Sequence, residues 1–277
     1  KARGDERMIK PILSALALVC LTVYFFVSAP AELPKQDQSD SAAQAVSVEA
    51  LFQAVNSINA HARQIYTSEI VGAGKKVGLK FGEDWKEEGV EKGPLPALFL
   101  RELSSELEKR PEPLGLYLGS DEPINPSNLF KGDTALDYKT VVANRAPVFS
   151  ELAGYGSIAM FPDFASAPAC VSCHNEHADS PKTDWKLNDV MGATTWTWPK
   201  TTTTTEEIRQ IVRVEIEALG DAYQNYLDKT AGFATPPLVG DSWPRSGEFV
   251  LPSREVYLSE VLKASGSDAL LAFLEAK

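Results

Sequence analysis

Basic charge is what this sequence lacks most. Its 27 Lys and Arg face 38 Asp and Glu, a formal net charge of −11. Nucleic-acid binding requires a basic footprint and peripheral docking on anionic lipid requires a polybasic segment, so neither is expected of this chain. Cysteine is nearly as scarce. Three in 277 residues cannot form a disulfide framework, and with only three histidines beside them a zinc centre would be short of ligands. The sequence also carries no internal repeat, no nucleophile elbow, no phosphate loop, no second metal motif and no acid/base pair spaced for catalysis. It is not expected to be an enzyme. Its hydrophobic fraction of 44% is ordinary for a globular chain with a real core.

One long uncharged run is present. Ile12–Ala29, 18 residues, follows a ten-residue opening with four basic and two acidic side chains. That length matches a short transmembrane helix, and the basic flank before it orients the N-terminus to the cytoplasm and the acidic bulk outside. The expected location is the periplasmic side of the inner membrane, on a single-pass anchor. Cleavage after Ala29–Ala31 is the alternative and would leave a soluble periplasmic protein. Cys20 lies inside this run, behind Val19 where a lipoprotein signal would carry a small residue.

The rest divides by composition. Residues 1–31 form the anchor or signal segment, and 32–46 are a polar linker without periodicity. Residues 47–205 are read as one domain and 206–277 as a helical C-terminal extension. Within the domain, Val48, Leu51, Phe52, Val55, Ile58, Ala62, Ile65 and Tyr66 recur at helical spacing, behind Ser47 as N-cap. A second helix is expected over Leu95–Arg110. Extended segments follow in "LGLYLGS", "PVFSELAGYGSIAMFP" and "MGATTWTWP", the last alternating and rich in Thr and Trp. A long helix then opens at Thr205, and two short helices capped by Ser253 and Ser267 close the chain.

The chemistry concentrates in "PACVSCHNEHADSP", Pro168–Pro181. Cys-x-x-Cys-His is the attachment motif of c-type haem. Two thiols three positions apart match the two vinyl groups of the porphyrin, and the histidine after the second supplies an axial imidazole. Cys170 and Cys173 are therefore the expected covalent attachments of one haem c, and His174 the proximal iron ligand. A thioredoxin-type pair would need a βαβ setting, which the pattern does not offer.

This region resembles a family of PAS-like periplasmic domains that carry a single c-type haem and occur in bacterial chemoreceptors, sensor kinases and stand-alone cytochrome-like proteins. "AHARQIYTSEIV" is similar to the family's first helix, and "GPLPALFLREL" to its second. "GSDEPINPSN" resembles an Asn-Pro-x-Asn turn, here Asn125, Pro126 and Asn128. "DWKLNDVMGATTW" resembles a strand pair with a Gly-Ala step, here Gly192 and Ala193. The resemblance covers about residues 48–200. It implies an α+β fold with a PAS-like central antiparallel sheet, flanking helices and the haem between the first helix and the Cys170 loop. Residues 206–277 match nothing in it.

The second axial position is open. In some members that resemble this family a cysteine on the first helix ligates the iron, and His61 falls near that place, which makes it the first candidate as a second metal ligand. A polar histidine on a helix face is the alternative. Met160 and Met191 come next but lie among apolar residues, and His177 follows the proximal histidine too closely. Arg63 is a candidate partner of a haem propionate and Tyr66 of the porphyrin face. Phe161, Phe164, Trp185 and Trp196 are further aromatic candidates that fit a core equally well.

Three functions remain. The first is a membrane-anchored monohaem cytochrome that passes electrons to a redox partner protein. The second is a sensor of redox state or of NO, CO or O₂ that signals through a partner, and the third an accessory haem subunit of a larger membrane complex. Electron transfer stands first because no signalling module follows the haem motif.

Overall fold

The computed structural model describes residues 45–275 apart from 153 and 155. The apolar run Ile12–Ala29, Cys20 and most of the linker lie outside the described residues. Among the described residues no helix is long and apolar enough to cross a membrane.

A short strand β1 (Ala45–Ser47) leads into α1 (Val48–Ile65). Ser47 caps α1 as expected, its Oγ accepting from the Glu49 amide at 3.2 Å. The helix then widens into a π-helical segment, Tyr66–Gly72, before one last α-turn, α2 (Ala73–Lys76). Two hydroxyls favour that widening. Thr67 Oγ1 donates to the Arg63 carbonyl at 2.6 Å and Ser68 Oγ to that of Gln64 at 3.0 Å, taking up acceptors that regular helical amides would use.

Two two-residue strands, β2 (Phe81–Gly82) and β3 (Gly93–Pro94), precede α3 (Pro96–Glu108). Proline at the first position of α3 gives up an amide that has no helical partner anyway. Then come β4 (Gly115–Gly119), α4 (Asp133–Asn144), β5 (Val148–Leu152), β6 (Gly156–Phe164), α5 (Pro168–Glu176) and β7 (Val190–Trp198). The four strands from β4 to β7 form one antiparallel sheet in the order β4-β7-β6-β5. Gly156 opens β6 at φ +84°, and a Cβ there would collide with the Trp198 carbonyl. Only glycine fits both demands.

Strand alternation splits the core in two. Ala159, Trp196 and Trp198 face the larger cluster, shared with α1, α3 and the helices that follow. Met160, Val190 and Ala193 face a smaller one completed by Phe130 and by Tyr138 and Val141 of α4.

After β7, β8 (Thr202–Thr204) pairs with β1, so the threonine run is a strand and a cap together. Thr204 accepts from the Glu207 amide at 3.1 Å while the Glu207 carboxylate accepts from the Thr204 amide at 3.0 Å. This reciprocal box starts α6 (Thr205–Ala231). Two short parallel strands, β9 (Leu238–Gly240) and β10 (Val250–Pro252), lead to α7 (Arg254–Glu275). Here the sequence reading is corrected, because the two closing helices are one and α7 runs through Gly266 without a break. Residues of α6 and α7 bury their apolar faces in the same cluster as α1 and α3. Tyr257 Oη donates to the Ala62 carbonyl at 2.9 Å, locking α7 on α1.

Candidate functional site

The Cys-x-x-Cys-His motif lies on α5, a nine-residue helix with Pro168 at its first position and no buried residue. The segment around it is a flap pinned at both ends. At its start, the Ala165 amide donates to the Asp189 carbonyl at 2.8 Å, and the Asn188 amide donates to the Ala165 carbonyl at 2.9 Å. Asn188 holds φ +70°, a conformation asparagine tolerates better than most residues. At its end, Asn175 clamps the chain twice. Its Nδ2 donates to the Trp185 carbonyl at 3.0 Å and its Oδ1 accepts from the Trp185 amide at 2.8 Å.

On this helix Cys170 and Cys173 are one turn apart and share a face. Both are free thiols, Cys170 half-buried and Cys173 exposed. Partial burial raises the Cys173 pKa, with Glu83 adding to the rise and Lys75 opposing it. The His174 ring is partly buried, and its Nδ1 is a buried atom with no hydrogen-bond partner. Burial lowers its pKa, and His177 and Arg63 lower it further. The ring is therefore held neutral, the form in which imidazole ligates a metal.

The surroundings come from distant parts of the chain. Arg63 of α1 reaches β6, where its guanidinium contacts Asp163 Oδ1 at 2.6 Å. Asp163 also accepts from Thr194 Oγ1 of β7 at 3.0 Å. Glu83, just past β2, pairs with His177 Nε2 at 3.5 Å. Neither Glu83 nor Asp163 carries a signal in the sequence that marks it for this place.

Three expectations change here. Arg63, expected as the partner of a haem propionate, pairs in the structure with Asp163. Tyr66 is elsewhere: its side chain is fully buried, stacked on Phe99 at 4.1 Å, with its hydroxyl donated to the Pro94 carbonyl at 2.9 Å. Packed in this way, its ring has no face left for a porphyrin. His61 is two positions from Arg63 on a regular helix, which sets the two side chains about 160° apart around the axis. The flank that carries Arg63 to the sheet is not the flank that carries His61. His61 instead places Nδ1 2.8 Å from the Ser57 carbonyl.

The aromatic candidates separate likewise. Trp196 is fully buried in the large core, with Phe161 packed against it, and Phe164 packs on the smaller cluster. Trp185 alone is tied to the flap, through Asn175. Met160 is fully buried in the smaller cluster. The Asn125 turn is a structural one, its side chain accepting from the Ser127 amide at 2.9 Å.

Among the described residues no group of three or more His, Cys, Asp or Glu is arranged to hold a metal ion. A haem c asks for something different: two accessible thiols on one helical turn and one neutral imidazole. Cys170, Cys173 and the orphaned ring of His174 fit that demand.

A family model described as Tll0287-like matches residues 36–199, more than half of the chain. The matched residues include the Cys-x-x-Cys-His motif. No curated protein and no solved structure matches the chain.

Proposed function

The chain belongs to the Tll0287-like family, and from that premise we propose that it is an exported monohaem c-type cytochrome, anchored by its N-terminal apolar run, that passes electrons to a partner protein. The observation that carries this reading is α5 itself, with two free thiols on one face and, beside them, an imidazole whose buried nitrogen lacks a partner. Haem held there supplies a one-electron couple tuned by its ligands and surroundings.

The chain's own residues have definite tasks in this reading. Cys170 and Cys173 attach the group, and His174 presents its imidazole to the iron. Asn175 fixes the angle of the flap through its two bonds to Trp185. The Arg63–Asp163 pair keeps a compensated cation beside the ring. Because α5 buries none of its residues, one edge of the group would lie at the surface, where a partner can approach. The net charge of −11 suits a basic partner. An all-antiparallel sheet with helices packed on it supports the PAS-like reading of the fold.

One observation favours a second reading, haem-based sensing of redox state or of a small gas. The π-helical segment Tyr66–Gly72 begins three residues after Arg63, and such segments can shift between helical registers. A sensor needs a two-state element of that kind.

The experiment is an optical spectrum of the purified protein, oxidised and reduced, with and without CO, together with a haem-stained denaturing gel of wild type and of the variant that combines Cys170→Ala with Cys173→Ala. A covalent haem that ignores CO supports electron transfer, and one that binds CO readily supports sensing. Haem that stays covalently bound when Cys170→Ala and Cys173→Ala are combined refutes the attachment.

A further inference from the structure

One large aromatic of the flap is buried outside both cores. Trp185 is 6% exposed, yet it belongs to neither the large nor the small apolar cluster. Its indole Nε1 is a buried atom with no hydrogen-bond partner within the chain. Among the described residues only one other flap side chain shares that condition, His174 through its Nδ1. The remaining orphaned polar side chains lie on α1, β7 and α6, elements that build the large core. A buried tryptophan usually finds an acceptor for its N–H, because a buried donor left unpaired costs free energy in the folded state.

Trp185 is tied to the motif by direct contact. Asn175, the residue after His174, bonds both the amide and the carbonyl of Trp185, at 2.8 and 3.0 Å. The Lys182 ammonium lies 4.9 Å from the centroid of the Trp185 ring and pairs with Asp184 at 2.7 Å. A cation over the ring draws on its π electrons and makes the N–H a stronger donor. An indole N–H can only donate, so its partner must be an acceptor. A porphyrin commits its ring nitrogens to the iron, which leaves the propionate carboxylates as its hydrogen-bond acceptors. Bonds from N–H donors to ionised carboxylates are the strong ones.

We propose that the indole N–H of Trp185 donates to a propionate of the haem. The inference rests on the cytochrome reading above and deepens it. Trp185 is a positioning residue in this role. His174 holds the centre of the ring through the iron, the two thiols hold one edge, and Trp185 holds a point on the propionate edge. Asn175 makes a single unit of them, since the residue that follows the iron ligand grips the Trp185 backbone at two atoms. Arg63, the propionate partner expected from the sequence, is already held by Asp163.

The test uses the full-length holoprotein as wild type, Trp185→Phe and Trp198→Phe, with a further protein that carries benzothienylalanine in place of Trp185. That residue keeps the bicyclic shape and has sulfur where the indole has N–H. Trp198 is the control, because its Nε1 is equally unpartnered but its ring sits in the large core. Three quantities are read: covalent haem on a denaturing gel, the propionate-bending bands in the resonance Raman spectrum, and the indole N–H band in the ultraviolet Raman spectrum. Both replacements of Trp185 are expected to retain covalent haem, shift the propionate bands and remove a hydrogen-bonded indole from the ultraviolet spectrum. Trp198→Phe should leave the propionate bands in place, and an equal shift there would overturn the proposal by tracing the effect to the core. Where Trp185→Phe fails to fold, the benzothienylalanine protein decides. Propionate bands in it that coincide with those of wild type, with haem retained, overturn the proposal even if a hydrogen-bonded indole is lost, since the acceptor is then water or the chain itself. Loss of covalent haem from it also overturns the proposal, because thioether formation does not use the N–H. Wild-type protein without covalent haem overturns the cytochrome reading and this inference with it.

Discussion

Glu215 offers the most quantitative check on the structure. It lies on α6 with its side chain fully buried, among residues that form the large core, and neither carboxyl oxygen has a hydrogen-bond partner. Burial alone raises its pKa well above the ordinary value of 4.5. The native state therefore keeps a proton that the unfolded chain releases once the pH exceeds that value. In this window the native state binds more protons than the unfolded state, so stability must fall as the pH rises. The slope for one group is at most about 1.4 kcal/mol per pH unit, and it ends where the pH passes the native-state pKa. Glu215→Gln abolishes the titration while keeping the shape and an unsatisfied polar group. Glu215→Met removes the polar group as well, and gains a further ~1–3 kcal/mol at every pH, the cost of leaving a buried polar group unpaired. The assay is urea unfolding of wild type and both variants at intervals from pH 5 to 9. The gap between Glu215→Gln and wild type should widen in favour of the variant as the pH climbs from 5. A gap that stays constant over that range would show that Glu215 is not buried as described, and the packing of α6 would have to be redrawn.

The remaining predictions separate the core from the site. Tyr66→Phe should cost about 0.5–1.5 kcal/mol in urea unfolding, the worth of its bond to the Pro94 carbonyl, and leave the optical spectrum unchanged; a spectral shift would return Tyr66 to the haem. His61→Ala should likewise leave the oxidised and reduced spectra unchanged, because His61 projects from the opposite flank to Arg63, and a change from low to high spin would reinstate it as an axial ligand. Thr204→Ala breaks the capping box of α6 and should cost about 1 kcal/mol of stability, read by the same unfolding assay; no loss would mean the box does not form in solution.

Legibility followed the physical range of each signal. The long helices and the Thr/Trp strand were readable because their periodicity is local, and the π-segment was not, because it depends on where two hydroxyls send their protons. The α4 segment "DTALDYKTVVAN" mixes Ala, Val and Tyr without a clean stripe, and it exposes Leu136 and Val142 while burying Tyr138 and Val141. The Ser-Gly-Ser at 265–267 looks like a break, yet α7 passes through it because the helix is held by packing on α1 more than by its own propensity. Three residues of the candidate site, Cys170, Cys173 and His174, are marked by their spacing alone. Asp163 and Glu83 are not, since Asp163 meets Arg63 only where β6 packs against α1, and Glu83 meets His177 only through the fold that brings β2 beside the end of α5.

These two levels of legibility reflect how the molecule is divided. Stability resides in a core that takes side chains from α1, α3, α6, α7 and one face of the sheet, including the stacked rings of Tyr223 and Tyr257 at 4.3 Å. The Cys-x-x-Cys-His motif adds no residue to that core, for α5 buries none of its residues and is held at its two ends by four hydrogen bonds and the Glu83–His177 pair. Few buried contacts mark a segment that opens at low cost. In the proposed reading, a thiol pair that is reached from outside and bonded covalently to a bulky ring is well placed on such a segment. On this arrangement a damaged Cys-x-x-Cys-His motif leaves a folded protein, whereas a damaged core leaves nothing to position the motif.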